Sequence, residues 1–342
     1  MLMVEYRELG KTGVKVSAVG IGTWQWGSKI WGYMKTYAEH DLLEAFNKAI
    51  ELGLNFFDTA EIYGDGESER ILGRCLKNVK RDEVVVATKF SPTRITEDGI
   101  RKSLENSLKR LGTSYVDLYQ VHWPNPVASI PKTMKILEKL WSEGKILAIG
   151  VSNFNLSQLI KARNSLSKTD ITSNQVEYNM LKRNIEKKMI EYCLREKVMI
   201  IAYSPLAQGL LTGKYSKVNK ARDIVRKFNP YFTSRRLEKV KPLLDVLNEI
   251  SVKNGRTITQ LALNWILRWE NTIPIPGVKN ARHVVDIAGS MDFSLSNEEL
   301  KIIEEKIQEL EDKNSLKPSR GIHLLRNYLS MVFYEKGREW KR

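Results

Sequence analysis

Four side chains that could carry proton chemistry stand at or just beyond the ends of predicted strands. Asp58 follows one apolar run, Lys89 closes a second and His122 closes a third. Tyr63 lies a few residues after Asp58, in a loop rich in glycine. Because the carboxyl ends of parallel strands meet on one face of a barrel, we expect these side chains to lie together there.

The types of these residues indicate acid–base chemistry on a carbonyl group. A lysine that closes a run of valines is costly to bury unless it is paired, and Asp58 on the neighbouring strand can pair with Lys89. A cation near Tyr63 favours the phenolate, so we expect a lowered pKa for this tyrosine. Together with His122, the set suits protonation of a carbonyl oxygen. None of these side chains can donate hydride, so a nicotinamide cofactor is implied.

The elements that must position these residues alternate along the chain. A hairpin is predicted over residues 4–17 and a strand over 16–24. Further strands are predicted near 54–58, 84–90, 116–122, 146–151, 172–177, 198–203 and 272–276. Helical periodicity is found near 38–52, 67–78, 97–111, 129–143, 155–166, 184–196, 235–253, 258–270, 281–290 and 297–311.

This alternation predicts an α/β fold, a (β/α)8 TIM barrel with an N-terminal β-hairpin, extra helices and a C-terminal tail. Several strands are continuous apolar runs, as expected of parallel strands covered on both faces. A doubly wound open sheet is the alternative. We predict one barrel domain over residues 1–312, with the hairpin 4–17 at the barrel bottom and the tail at 313–342.

Two segments depart from the repeating pattern. Residues 204–234 form the longest irregular stretch, and a loop of that length is usually functional. Residues 313–342 are basic and partly amphipathic, with a helix predicted near 321–334. The apolar face of that helix is short, so we expect it to dock on protein rather than on a membrane. The protein is therefore expected to be a monomer or a homo-oligomer formed through the tail.

Composition restricts the class of protein. The chain has 342 residues, 42% of them hydrophobic, and a formal net charge of +15. The basic residues are interleaved with glutamates, which indicates a solvated surface and no nucleic-acid partner. No apolar run reaches the ~18 residues of a membrane span, and residues 1–5 do not begin a signal peptide. Cys75 and Cys193 form no CxxC pair, so we expect buried thiols, no metal and a reducing, cytoplasmic location.

The sequence resembles the aldo-keto reductase family over almost all of residues 4–312. The resemblance is carried by VGIGTW at 19–24, FDTAEIYG at 57–64, ATK at 87–89, YVDLYQVHWP at 115–124, GVSNF at 150–154, NQVEYN at 174–179, AYSPL at 202–206 and IPG at 275–277. It implies a (β/α)8 barrel that binds NADPH and reduces aldehydes or ketones. A small carbonyl compound is then the expected substrate.

The resemblance also implies roles for the residues at the strand ends. Tyr63 is similar to the family's general acid, Lys89 and Asp58 to the pair that tunes it, and His122 to the residue that orients the carbonyl. Aromatic side chains at the barrel mouth are expected to contact the substrate. Those predicted to do so with Tyr63 and His122 are Trp24 and Trp123, and further aromatic candidates are Trp26, Trp31 and Tyr231.

Cofactor contacts are implied in the same way. Ser152, Asn153 and Gln175 match the positions that hold the carboxamide of nicotinamide, and Tyr203 matches the aromatic residue that stacks under its ring. Residues 204–211 match the loop that runs along the pyrophosphate. The remaining cofactor contacts that the resemblance implies are Gly22, Thr23, Trp24, Asp58, Ser204, Leu206, Gln208, Gly209, Leu211, Gly277, Lys279 and His283.

The part of the sequence expected to bind adenosine departs from the family pattern. Lys279 follows Ile-Pro-Gly-Val as in other members, but the next helix reads His283, Asp286 and Ile287 where Arg or Gln and then Glu-Asn are common. Lys279 with Arg282 or His283 still favours a 2′-phosphate and therefore NADPH over NADH. The glycines near residue 20 miss the G-x-G-x-x-G spacing of a dinucleotide fingerprint.

Two other functions remain open from the sequence. Tyr178 and Lys182 match the Tyr-x-x-x-Lys pattern of short-chain dehydrogenases, although a strand and a turn are predicted there rather than a helix. A nicotinamide-binding regulatory or interaction protein on the same barrel is the second alternative, since the potassium-channel β subunits resemble this family and act largely through a partner.

Overall fold

A computed structural model of the protein describes residues 4–216, 219, 224–227, 229 and 232–312. Its strands are β1 Tyr6–Glu8, β2 Lys15–Ser17, β3 Ile21–Gly22, β4 Phe56–Asp58, β5 Val85–Phe90, β6 Val116–Val121, β7 Ile146–Ser152, β8 Ile171–Glu177, β9 Met199–Tyr203 and β10 Thr272–Pro274. Its helices are α1 Glu39–Glu51, α2 Glu67–Leu76, α3 Glu97–Leu111, α4 Ile130–Ser142, α5 Leu156–Arg163, α6 Glu191–Arg195, α7 Ile224–Lys227, α8 Ser234–Asn254, α9 Ile258–Leu267, α10 Ala281–Ala288 and α11 Asn297–Asp312.

Strands β3 to β10 form one eight-stranded sheet in which neighbours in the sheet are also neighbours in the chain. The sheet closes on itself, since the Gly20 N–H donates to the Pro274 carbonyl at 3.0 Å and the Gly22 N–H to the Pro276 carbonyl at 3.0 Å. The predicted (β/α)8 barrel is confirmed, and the open, doubly wound sheet is wrong.

The alternation of side chains along each strand separates two cores. On β5, Val85 and Ala87 point into the barrel, whereas Val86 and Phe90 pack against the surrounding helices. Side chains of a strand alternate between its two faces, so Lys89 shares the inward face with Ala87 and lies one layer above it. The same alternation turns the residues that end neighbouring strands toward the barrel mouth.

The surrounding helices begin and end at residues suited to those positions. In α3, the Thr96 side chain accepts the Gly99 N–H, and Gly112 ends the helix in the left-handed region at φ 67°. Ile100 and Leu104 lie on the face of α3 that is buried against the barrel. This amphipathic pattern holds the outer ring of helices on the sheet.

The hairpin of β1 and β2 contributes to the barrel core. Leu9 and Val16 are fully buried in the same cluster as inward-facing strand residues. Arg7 donates to the backbone carbonyls of Leu267 at 2.8 Å and Trp269 at 2.6 Å, which ties the hairpin to the end of α9. These bonds, together with an ion pair at 2.8 Å to the exposed glutamate two residues earlier, satisfy the buried guanidinium.

Two helical predictions differ from the structure or lie outside it. The helix predicted over 184–196 is reduced to α6, which a π-helical turn at Glu186–Ile190 precedes. In that turn the Glu186 carboxylate accepts from Tyr178 at 2.7 Å, a long-range bond that periodicity does not reveal. The helix predicted near 321–334 lies outside the described residues. Within the described chain, none of the helices combines the length and apolar character that a membrane crossing requires.

Candidate functional site

A cavity of about 830 Å³ opens at the carboxyl ends of the barrel strands. Nearly all of the predicted site residues line it: Gly22, Thr23, Trp24, Asp58, Tyr63, His122, Trp123, Ser152, Asn153, Gln175, Tyr203, Ser204, Leu206, Gln208, Gly209, Gly277, Lys279 and His283. Three predicted residues are not part of its wall, and Tyr231 lies outside the described residues. Trp26 is fully buried in the apolar core. Lys89 is fully buried directly behind it, and Leu211 is fully buried in the apolar core, where a 3-10 turn at Ala207–Thr212 directs it.

A buried ion pair joins the ends of β4 and β5. Lys89 Nζ lies 2.5 Å from Asp58 Oδ1 and 2.8 Å from the Thr59 carbonyl oxygen. The second carboxylate oxygen of Asp58 accepts from the side-chain amides of Gln120 at 3.1 Å and Gln175 at 2.7 Å. A buried pair is stable only when its remaining hydrogen-bonding positions are filled, and this network fills those of Asp58.

Tyr63 lies above this ion pair, in a tight turn that precedes α2. Its hydroxyl is 3.3 Å from Lys89 Nζ, and its ring is 5.7 Å from that of His122 in an edge-on arrangement. Gly64 adopts φ 57°, and a Cβ there would be only 3.0 Å from the backbone of Gly27. Glycine is therefore required beside Tyr63 on both steric and conformational grounds.

Burial controls the protonation of the ring side chains. Burial, and then the charge of Asp58, raise the pKa of Tyr63 well above its usual value. The expected lowering of the Tyr63 pKa is not found, because the loss of solvation and the charge of Asp58 dominate. Burial, followed by repulsion from Lys89, lowers the pKa of His122 well below its usual value. At neutral pH the site thus offers a protonated phenol beside a neutral imidazole.

Hydroxyl groups behind the cavity hold its loops together. Ser68 Oγ lies 2.7 Å from Thr23 Oγ1 and 2.9 Å from Thr59 Oγ1, so one serine of α2 connects the loops after β3 and β4. On the same helix, Glu69 accepts from Thr88 at 2.6 Å. These bonds fix the turn that carries Tyr63 relative to the strand that carries Lys89.

A second group of polar side chains stands at the ends of β7, β8 and β9. Ser152 Oγ donates to the Gln175 carbonyl at 2.9 Å, Asn153 Nδ2 donates to the His122 carbonyl at 3.1 Å, and Tyr203 donates to Asn153 Oδ1 at 3.0 Å. Asn153 has φ 63°, a conformation that residues other than glycine seldom adopt outside functional positions. We call these residues, together with Asp58, Tyr63, Lys89 and His122, the strand-end cluster.

The cavity is also bounded by cationic side chains that rest on aromatic rings. Lys279 Nζ donates to the Trp31 carbonyl at 2.7 Å and lies 4.5 Å from the centre of the Tyr37 ring. Arg226 lies 5.0 Å from the centre of the Trp31 ring and donates to the Gln208 carbonyl at 2.6 Å. We call Trp31, Tyr37, Arg226 and Lys279 the loop cluster.

His283 belongs to the same part of the cavity. Its Nδ1 accepts from the Lys279 backbone N–H at 3.3 Å. The backbone N–H of His283 donates to the side chain of Asn280, which caps α10. Burial, then Lys214 and Lys279, lower the pKa of His283. This side chain is therefore a neutral hydrogen-bonding group among several cations.

Sequence reasoning missed three charged residues of the cavity wall, Glu177, Lys214 and Arg226, and one supporting amide. Arg226 lies far along the chain from its ring partner Trp31. Its position within the long irregular stretch was the only feature of the sequence that indicated a functional role. Glu177 ends β8 inside the motif NQVEYN, two residues after Gln175 on the same face of the strand. Gln120 lies two residues before His122 on the same inward face of its strand, a spacing that could have identified it.

The Tyr-x-x-x-Lys alternative does not agree with the structure. Tyr178 is fully buried, packs 5.5 Å from the ring of Trp265 and donates its hydroxyl to Glu186. It does not line the cavity and follows a strand rather than lying on a helix. The short-chain dehydrogenase interpretation is wrong.

The two clusters along one cavity fit a nicotinamide dinucleotide. Side-chain amides and a serine hydroxyl in the strand-end cluster provide the donors and acceptors that a carboxamide needs. The cations of the loop cluster, with Lys214 and Arg282 on the same wall, provide partners for phosphate groups. A cavity of about 830 Å³ is within the size range of cofactor sites.

Comparison with known proteins agrees with this arrangement. Residues 18–308 match the model of the Aldo/keto reductase family. An uncharacterised oxidoreductase of Mycobacterium tuberculosis is 38% identical over 282 residues, which cover 82% of this chain and 86% of that protein. The chloroplastic pyridoxal reductase of Arabidopsis thaliana is 37% identical over 306 residues, which cover 84% and 82%. The crystal structure of an aldo-keto reductase from Klebsiella pneumoniae in complex with NADPH has a TM-score of 0.72 and 28% identity, covering 93% of this chain and 97% of that one.

Proposed function

The chain belongs to the aldo/keto reductase family of oxidoreductases and uses NADP(H), and on that premise we propose that it reduces the carbonyl group of an aldehyde or ketone with Tyr63 as the proton donor. The observation that carries this proposal is the position of the Tyr63 hydroxyl. It faces the cavity and lies 3.3 Å from a buried lysine that is itself paired with Asp58.

Tyr63 suits the role of general acid because its proton is available at neutral pH. Burial raises its pKa, so the phenol is protonated when a carbonyl oxygen approaches. Once the proton has left, Lys89 stabilises the phenolate, while Asp58 holds the lysine in place. The neutral imidazole of His122, on the same wall, can donate an N–H bond to the carbonyl oxygen and orient it toward Tyr63.

The other cavity residues bind and orient the cofactor. Bound NADPH supplies the hydride. Ser152, Asn153 and Gln175 hold the carboxamide, and Tyr203 supports the face of the nicotinamide ring. Lys279 and the other cations of the loop cluster bind the phosphate groups, which favours the 2′-phosphate of NADPH.

The substrate is proposed to be a small carbonyl compound that fits an aromatic wall. Trp24 lies 6.3 Å from Tyr63 and 5.0 Å from Trp31, measured between ring centres. With Trp123, these side chains provide flat apolar surfaces beside the proton donor. Because an Arabidopsis relative is named as a pyridoxal reductase, pyridoxal is the first aromatic aldehyde to test.

The direct test is loss of NADPH absorbance with the purified protein and a panel of aldehydes and ketones that includes pyridoxal. With good aldehyde substrates we expect a turnover number of about 1–10³ s⁻¹, which is the usual range for enzymes. A protein that binds NADPH but leaves the absorbance unchanged across the panel would instead support the regulatory alternative. Fluorescence titration with NADPH provides the binding measurement.

A further inference from the structure

Glu177 is a carboxylate in the cavity wall that the proposed reaction does not use. It is the last residue of β8, and its side chain is half-buried. Among the described residues its carboxylate makes no hydrogen bond and no ion pair. A carboxylate that lies partly out of water without a partner is costly unless something else compensates its charge.

The position of Glu177 in the sheet places it beside the residues proposed to hold nicotinamide. Gln175 lies two residues earlier on the same strand, so both side chains face inward. Glu177 pairs in register with Tyr203 on β9, and neighbouring strands are about 4.8 Å apart. The pKa of Tyr203 is raised by burial and then by the charge of Glu177, as expected for close neighbours.

We propose that Glu177 favours the oxidised cofactor over the reduced one by placing a negative charge next to the nicotinamide ring. This inference rests on the proposed function, in which Gln175 and Tyr203 contact that ring. The ring is neutral in NADPH and carries a positive charge in NADP⁺. A nearby carboxylate therefore interacts favourably with the oxidised form alone.

The same charge assists the proposed reduction. Positive charge develops on the ring as the carbonyl is reduced, and preorganised opposite charge stabilises such a transition state. Burial raises the pKa of Glu177, whereas Lys182 opposes this shift. A cationic ring beside the carboxyl group adds to the effect of Lys182 and favours the ionised form.

A hydrogen bond from Glu177 to a ribose hydroxyl is the competing explanation. The ribose is identical in the two forms of the cofactor, so that bond would strengthen both to the same extent. The ratio of the two dissociation constants therefore separates an effect of charge on the ring from a structural or hydrogen-bonding role.

The test compares the dissociation constants for NADPH and NADP⁺, measured by fluorescence or calorimetric titration, in the wild type, Glu177→Gln and Glu177→Asp. In Glu177→Gln we expect the constant for NADP⁺ to rise about three- to tenfold and that for NADPH to change less than about twofold. Glu177→Asp keeps the charge and should retain a ratio near that of the wild type.

Asp286→Asn is the matched control, because it removes a carboxylate of the same cavity at α10, where Asp286 is bonded to Thr257. Its two constants should change by the same factor. An equal change or no change in Glu177→Gln would overturn the inference while leaving the proposed reductase intact. A wild-type protein that bound neither form would instead contradict the proposed function.

Discussion

The strand-end cluster and the loop cluster lie around the same cavity but are built in different ways. In the strand-end cluster, Lys89 and Asp58 are almost fully buried, and amide side chains fill the remaining positions around the carboxylate. In the loop cluster, Arg226 and Lys279 rest on aromatic rings and bond to backbone carbonyls. The side chains of the strand-end cluster are held by their positions on adjacent strands. Those of the loop cluster are held by the way in which long loops fold.

This difference separates two tasks. Proton transfer requires donor and acceptor atoms within hydrogen-bond distance, and adjacent strands of a barrel hold them there. Binding of a flexible, highly charged cofactor requires positive charge near its phosphate groups but less precise positions of the atoms. Cations that rest on ring faces provide such charge. Changes to Tyr63 and to the Lys89–Asp58 pair of the strand-end cluster should therefore affect turnover and stability, whereas changes in the loop cluster should affect affinity.

The largest effect is expected from Tyr63→Phe. It removes the proposed proton donor and leaves the ring, and general acid catalysis typically contributes about 10²–10⁴-fold. We expect the turnover number for aldehyde reduction to fall by at least about 10²-fold with little change in NADPH affinity. Tyr6→Phe, on the exposed hairpin, is the control and should keep wild-type turnover. Retention of about a tenth of the turnover in Tyr63→Phe would remove Tyr63 from the mechanism.

Lys89→Met should combine a loss of activity with a loss of stability. The variant leaves Asp58 as a buried carboxylate without its cation, and breaking such a pair commonly costs about 3–5 kcal/mol. Denaturant unfolding measures this change. Lys48→Met removes a lysine from an exposed pair with Glu51 and should change stability by less than about 1 kcal/mol. Equal stabilities of the two variants would mean that the buried pair does not behave as the structure indicates.

Lys279→Ala tests the loop cluster. If this lysine contacts the 2′-phosphate, a charge-assisted bond worth about 1–3 kcal/mol is lost with NADPH alone. We expect the dissociation constant for NADPH to rise about tenfold and that for NADH to rise much less. Lys35→Ala removes an exposed lysine of the same loop as Trp31 and is the control. Equal weakening of NADPH and NADH would indicate that Lys279 acts by holding the loop through Trp31.

Arg226→Met should have the smallest effect. It removes a half-buried cation that rests on the rings of Trp31, Tyr215 and Phe232. Cation–π contacts contribute from about 0.5–1 kcal/mol at exposed sites to about 2 kcal/mol when desolvated. We expect a rise of about two- to fivefold in the dissociation constant for NADPH and a nearly unchanged turnover number. Arg235→Met, at an exposed position of α8, is the control. A large fall in turnover with unchanged affinity would contradict the division of tasks between the two clusters.

Part of the strand-end cluster could be predicted from the geometry of strand ends, whereas its cofactor-binding residues were implied by the family resemblance alone. Apolar runs located β4, β5 and β6, and the meeting of their carboxyl ends brought Asp58, Lys89 and His122 together. The direction of the Tyr63 pKa shift could not be predicted in this way. It depends on how much water the folded chain excludes, which no local pattern records.

The loop cluster was only partly predictable for a different reason. Lys279 follows a recognisable motif, but its contact with the Trp31 carbonyl joins residues that are far apart in the chain. Arg226 lies in an irregular stretch, where neither helical nor strand periodicity indicates a direction. Leu211 was assigned to the pyrophosphate loop, yet the turn at 207–212 buries its side chain in the core.

The measurement that tests the central claim most directly is a crystal structure of the protein with NADP⁺ bound. The account predicts the carboxamide of nicotinamide on Ser152, Asn153 and Gln175, its ring against Tyr203 within reach of Tyr63, and phosphate groups among the cations of the loop cluster. A nicotinamide ring located in the loop cluster, away from Tyr63, would contradict the claim that the strand-end cluster is the catalytic centre.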